Sequence, residues 1–256
     1  MSKVIRFPYS AFRTLGFMAL TLASSGCSTL PQRQADQPSV KTFSLSLANI
    51  HIVEAYGKRL MIDAGKLGDE QALVAAMRAA GVEPRSIDYL FITHGHTDHA
   101  GGASYFKEHF GTTIIAGRAD QAMLASGRND ALCATGLLAN FLKPSILRES
   151  YPPVSADIWI NQELDLTTLG IKGRVLAMPS HTPGSIAVLI DDKAFVGDLA
   201  RGELLNKTKP ARHFYMCDLH SNDQDIARLL DIRAIKTWYT GHMGPVSTAS
   251  VREGFE

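Results

Sequence analysis

A chain of 256 residues, 45% of them hydrophobic, is long enough to bury one substantial core. Its formal net charge is +1, from 26 Lys and Arg against 25 Asp and Glu, so it offers no general basic footprint for nucleic acid. The same composition excludes a disordered or collagen-like chain.

The first segment carries Lys3, Arg6 and Arg13 and no acid. The apolar run 15–23 behind them is shorter than the roughly 20 residues a membrane-spanning helix needs, so residues 1–26 read as a targeting signal. Ser24, Ser25 and Gly26 lead into Cys27, which resembles a bacterial lipoprotein signal whose cysteine becomes the acylated first residue. Ordinary cleavage near Gly26 is the alternative. Either route implies export, with the bacterial periplasm as destination and a lipid on Cys27 as the sole membrane attachment. Residues 27–40 then form a polar linker, and 41–256 one catalytic domain.

Residues 43–47 and 49–54 alternate as strands, Tyr56-Gly57 signals a turn, and 59–62 is a third strand ending at Asp63-Ala64-Gly65. Asp69 opens a helical pattern through Leu73, Val74 and Met77 that stops at Gly81. The apolar run 87–92 reads as a buried strand and delivers Thr93-His94-Gly95-His96-Thr97-Asp98-His99. Such a density of imidazoles and carboxylate on one loop is a metal site rather than a chance surface cluster. It suits zinc, iron or manganese and poorly suits calcium or magnesium. A helix over 102–110, a strand over 113–116 and a helix over 119–126 follow. The insert 133–147 places Leu137, Leu138, Phe141, Leu142, Ile146 and Leu147 at helical spacing. It reads as core by default, with the wall of an apolar substrate pocket as the alternative. Cys133 and Cys217 read as two small buried hydrophobes in preference to a disulfide.

In the second half, a strand over 174–178 leads into Pro179-Ser180-His181-Thr182-Pro183-Gly184-Ser185. Apolar strands at 186–190 and 194–196 precede Gly197-Asp198. Ser221-Asn222-Asp223-Gln224 reads as a capping box opening a helix with Ile226, Leu229 and Leu230 on one side. A last strand, 237–239, ends at Gly241-His242. Strands followed by helices, twice, predict two sheets face to face with helices outside. His181, Asp198 and His242 each follow an apolar strand beside a glycine or proline, where a sheet scaffold concentrates its chemistry.

Taken together, Asp63 in its Met-Ile-Asp-Ala-Gly setting, the 94–99 loop, the 180–185 motif, Val196-Gly197-Asp198 and Gly241-His242 resemble the metallo-β-lactamase superfamily. The resemblance implies an α/β fold, the αββα four-layer sandwich. It implies His94, His96 and His181 on one metal, Asp98, His99 and His242 on a second, Asp198 bridging both, and Asp63 in support. Two divalent ions are expected, Zn2+ foremost with Fe or Mn as alternatives, and a bridging hydroxide as nucleophile. Asp98 and Asp198 are then the catalytic carboxylates. Dinuclear β-lactamases of this fold usually carry cysteine or serine at the bridging position. Aspartate there is typical of glyoxalase II-like thioesterases, lactonases and phosphodiesterases, whereas the short tail after His242 lacks the helical domain with which glyoxalase II grips glutathione. The expected activity is hydrolysis of an ester, thioester or lactone, with a small molecule as the partner. A phosphodiesterase and a mononuclear-iron sulfur dioxygenase are the alternatives.

One further stretch, 201–215, directly follows Asp198. Its Lys207, Lys209 and Arg212, with His213 and Tyr215, form either a solvated loop or a clamp for an anionic substrate group. The clamp is the functional expectation, with Tyr215 hydrogen-bonding a substrate oxygen. His51 and His109 are expected in a strand and at a helix end without catalytic roles.

Overall fold

A computed structural model describes residues 37–256; the signal segment and Cys27 lie outside the described residues. The elements in chain order are β1 (Ser39–Leu45), β2 (Ala48–Ala55), β3 (Lys58–Ile62), α1 (Glu70–Ala79), β4 (Tyr89–Ile92), α2 (Thr97–Ala100), α3 (Ala103–Phe110), β5 (Thr113–Gly117), α4 (Gln121–Ser126) and α5 (Leu137–Ile146). There follow β6 (Ile158–Ile160), β7 (Glu163–Asp165), β8 (Gly173–Ala177), β9 (Ile186–Ile190), β10 (Lys193–Gly197), β11 (Arg201–Gly202), β12 (Pro210–Ala211), α6 (Leu219–Leu230), β13 (Thr237–Thr240), β14 (Val246–Ser247) and α7 (Thr248–Phe255).

Two six-stranded sheets carry the fold, one ordered β1 to β6 in sequence and the other β14-β13-β10-β9-β8-β7. In the first, β1 to β3 pair antiparallel and β3 to β6 parallel. The strands alternate their side chains between two apolar environments. Leu90 and Ile92 of β4 pack with Leu73, Met77 and Phe106 beneath α1 and α3. Phe91, between them, joins Val188, Ile190 and Phe195 in the layer shared by the two sheets. On the far side, Ala187 and Leu189 of β9 meet Ile226, Leu229 and Val251 from α6 and α7. Three apolar layers between four layers of structure make an αββα sandwich.

Where both faces of a strand are buried, the sequence shows an unbroken apolar run rather than alternation. The short edge strands β6 and β7, three residues each, offer too few residues for a period to show. The start of α6 is also corrected. The helix begins at Leu219, and the Asp218 carboxylate caps it by accepting from the Ser221 backbone N–H at 2.9 Å, so Ser221 is capped rather than capping. Cys133 and Cys217 are a disulfide and not two separate buried hydrophobes. Their pairing joins segments 84 residues apart, a distance that no local pattern reports. Among the described residues no helix is long and apolar enough to cross a membrane.

Candidate metal centre

Every potential ligand sits on a loop or short helix leaving the end of a strand. β4 delivers His94, His96, Asp98 and His99; β8 delivers His181, β10 Asp198 and β13 His242. Asp198 is the meeting point. Its Oδ2 lies 3.7 Å from His94 Nε2, 3.4 Å from His99 Nε2, 3.7 Å from His181 Nε2 and 3.3 Å from His242 Nε2. Asp98 Oδ2 lies 3.3 Å from His242 Nε2 and 3.7 Å from His99 Nε2. The donor atoms fall into overlapping groups able to hold a cation, among them His94–His96–His181 and Asp98–His99–His242.

The other ring nitrogen of each histidine is anchored to an oxygen. His99 Nδ1 is 2.8 Å from Asp63 Oδ2, His181 Nδ1 3.0 Å from the Tyr215 carbonyl, His242 Nδ1 2.8 Å from the Leu47 carbonyl, and His94 Nδ1 3.1 Å from Thr93 Oγ1. His96 is reversed: its Nε2 meets Asp130 Oδ1 at 3.0 Å while Nδ1 faces His181 Nε2 at 3.1 Å. Such outer partners fix ring orientation and tautomer and leave the inner nitrogen free for a metal. Asp63 does this from a left-handed backbone, φ 62°, which an aspartate tolerates better than most residues. It also accepts from the Thr93 backbone N–H and hydroxyl.

Electrostatics match the geometry. Burial would raise the Asp198 carboxyl, but His213, His242 and His99 outweigh it and hold the group well below the usual carboxylate range. Burial and the surrounding imidazoles push His94 and His181 well below 6.5, leaving them neutral. His99 and His242 go the other way. Burial lowers both, yet nearby carboxylates dominate, raising His99 well above its ordinary value and His242 to about 10. His94 Nε2 and Asp198 Oδ1 are buried without a hydrogen-bond partner among the described residues. Buried polar atoms are costly unless satisfied, so these donors fit divalent cations.

Of the remaining predicted residues, His213 is the surprise. It is buried, and its Nε2 lies 3.0 Å from Asp198 Oδ2, nearer than any of the other imidazoles. The basic residues around it do not follow it inward. Lys209 pairs with Glu203 at 3.0 Å, Arg212 pairs with Asp223, and Lys207 does not line the cavity beside the cluster. Tyr215 does line it, but its hydroxyl donates to the Ala139 carbonyl at 2.9 Å and has no proton left for a substrate oxygen. His51 is buried in β2, between Thr42 Oγ1 and the Thr240 carbonyl of the other sheet, and His109 is at the end of α3.

Two supporting carboxylates escape a reading of the sequence. Asp120 accepts from the Gly95 and Gly184 backbone N–H groups and from the Thr182 hydroxyl, so it ties the first ligand loop to the His181 loop. An acid just past the apolar strand β5 was the available signal. Asp130, which anchors His96, lies in an irregular stretch that carries none. Beside Asp120, the end of β5 and the His181 loop are so close that a Cβ on Gly117 would strike the Gly184 carbonyl and one on Gly184 would strike Asp120.

The model of the family described as "Metallo-beta-lactamase superfamily" matches residues 45–242. "Hydroxyacylglutathione hydrolase GloC" of Haemophilus influenzae is 33% identical over 117 residues, covering 44% of this chain and 50% of that protein. A "Hydroxyacylglutathione hydrolase" of Shewanella pealeana is 28% identical, covering 51% of this chain and 38% of its own. The chain thus spans half or less of the length of these relatives. Among solved structures, metallo-β-lactamase SMB-1 in complex with mercaptoacetic acid superposes with a TM-score of 0.59 at 17% identity, covering 81% of this chain and 80% of that one. A metallo-β-lactamase family protein of Thermus thermophilus gives a TM-score of 0.58 at 17% identity, covering 84% and 77%. At such identities the likeness is one of fold.

Proposed function

Because the chain belongs to the metallo-β-lactamase superfamily, we propose that it is a di-metal hydrolase acting on an ester, thioester or lactone. His94, His96 and His181 would hold one cation and Asp98, His99 and His242 the other, with Asp198 within reach of both groups. The observation that carries this reading is the convergence on Asp198 Oδ2 of imidazole nitrogens whose far sides are already anchored. Zinc suits this mixture of imidazole and carboxylate. Bound cations supply Lewis acidity, which polarises a carbonyl and makes water a nucleophile near neutral pH.

The chain's own groups do the rest. Asp63, Asp130 and the Tyr215 carbonyl hold the imidazoles in the tautomers that leave the inner nitrogens bare. The buried neutral pair His94 and His181 exclude competing protons from that side. In the overall reaction a C–O bond forms from water to the carbonyl carbon and the C–S or C–O bond to the leaving group breaks. The leaving group departs with a proton taken from the water. Burial lowers His213 to about 4 despite the nearby Asp198 carboxylate; with Nδ1 accepting from the Tyr215 backbone N–H, the neutral ring points Nε2 at Asp198 and orients that carboxylate.

The hydroxyacylglutathione hydrolases among the relatives support thioesters in particular. The disulfide between Cys133 and Cys217 supports the export read from the N-terminal segment, since such bonds persist in oxidising compartments. Elemental analysis of purified protein, combined with a panel of esters, thioesters, lactones and phosphodiesters, is the test. Two zinc per chain with turnover of a carbonyl substrate is the expected result. One iron per chain, or turnover of phosphodiesters alone, would sink the assignment.

A further inference from the structure

A cavity of about 330 Å3 opens on Asp98, Asp198, His213 and His242, a volume suited to a small-molecule ligand. Its opposite wall comes from α5, where Leu138, Leu142 and Ile146 recur one turn apart and line the space with Ala139. The default reading of that stripe as core is overturned. Within the helix only Ala139 is buried, while Leu138 and Leu142 remain 54% and 42% exposed. Leu138, Leu142 and Ile146 face the cavity, whereas Leu137, Phe141 and Leu147 do not line it and are exposed.

The wall is fixed in place. At the near end of α5 the Cys133–Cys217 bond is joined by Thr135 N–H donating to the Phe214 carbonyl at 2.9 Å and Met216 N–H donating to the Cys133 carbonyl at 2.8 Å. Tyr215 Oη holds the first turn, and Asn129 Nδ2 donates to the Ile146 carbonyl at the far end, 3.0 Å away. A preformed surface of this kind costs little ordering when it binds. Lys66 is the sole Lys or Arg among the residues lining the cavity, and Glu149 neutralises it at 2.6 Å. Nothing on this wall would compensate a buried anionic group.

We propose that the substrate carries an uncharged aliphatic chain beside its scissile bond, and that this chain lies along Leu138, Leu142 and Ile146. The inference rests on the hydrolase reading and narrows it to lipophilic substrates, with the chain on either the acyl or the leaving side.

The experiment uses metal-loaded protein and two thioester series, one lengthening the acyl group from acetyl to decanoyl and one lengthening the thiol. In one series kcat/KM should climb by up to about fourfold per methylene, the equivalent of ~0.8 kcal/mol each, until the cavity is filled. That series identifies which side carries the chain. A terminal carboxylate on the chain of whichever series climbs (succinyl in place of butyryl on the acyl side, for example) should make the substrate at least about tenfold poorer, because its charge would be stranded on apolar surface. Leu142→Asn, at a half-exposed position, should flatten the slope while metal content stays at the wild-type value. Calorimetric binding of straight-chain carboxylates from acetate to decanoate provides a readout independent of turnover. Turnover without chain dependence in either series would overturn the proposal and leave the hydrolase reading standing. Absent turnover with affinities that climb with length, and stop climbing in Leu142→Asn, would leave the aliphatic-chain site standing and remove thioesters from the hydrolase reading. Flat affinities overturn the proposal in every case.

Discussion

The ligand loops around Asp198 and the helix α5 border one cavity and are held by contrasting means. Around Asp198 nearly every ring has an oriented hydrogen bond behind it, and the supporting carboxylates Asp63 and Asp120 are themselves buried. Along α5 the side chains that face the cavity meet no polar partner; their backbone is tethered at its ends instead. Chemistry needs atoms at fixed positions, so it recruits directional bonds. Recognition of a chain by its bulk needs only area, so a tethered apolar surface suffices.

The strongest challenge to this contrast removes its centre. Asp198→Ala takes away the carboxylate shared by the imidazoles, and hydrolysis should fall at least ~100-fold with a parallel loss of bound metal. Elemental analysis beside turnover tests it; full metal with full turnover would detach Asp198 from the chemistry. The pH response probes the same cluster. In metal-stripped protein the folded-state value for His242 is raised from 6.5 to about 10, so its contribution to stability is complete below 6.5 and lost as pH rises through about 10. A cation replaces that proton in the loaded protein. The gap in Tm between loaded and stripped forms should therefore widen across this window, by the equivalent of a few kcal/mol. A constant gap would mean that no such proton is exchanged.

On the α5 side, changing both Cys133 and Cys217 to serine should cost about 2–4 kcal/mol in denaturant unfolding, because the bond closes an 84-residue span. Metal content should survive, which would sharpen the division between bonded centre and tethered wall. Asp130→Asn keeps the shape behind His96 but removes the charge, and chelator competition should find metal held about tenfold less tightly. The smallest effect is expected from Lys207, Lys209 and Arg212. Two of the three already have acidic partners, and exposed pairs are worth only about 0.2–1 kcal/mol. Replacing all three by glutamine should move KM by less than about threefold at any salt concentration. A large, salt-sensitive rise confined to an anionic substrate would return them to the site.

The sandwich was legible because its central strands are long apolar runs with the ligands immediately behind them. His94 to His99, His181, Asp198 and His242 are each marked by the strand they follow, and the structure brings them into one cluster. What stayed hidden was non-local. In sequence His213 groups with Lys207, Lys209 and Arg212 as part of a substrate clamp, but the chain turns that one ring inward onto Asp198. The α5 pattern revealed a stripe but not what it faces, because helical periodicity is the same against protein and against a cavity. The Cys133–Cys217 pairing depends on two loops from opposite halves meeting beside Tyr215, which no spacing along the chain encodes.

The contact between Gly117 and Gly184 acts as a gauge for the whole centre. It lies beside the Asp120 bonds that couple the first ligand loop to the His181 loop, and so helps to set how near His96 and His181 approach. A Cβ on Gly117 would strike the Gly184 carbonyl and one on Gly184 would strike Asp120, so a substitution at either pushes the His181 loop away from the end of β5. A side chain at either glycine would displace the His181 loop from the segment that carries Asp120, and His181 would move with it.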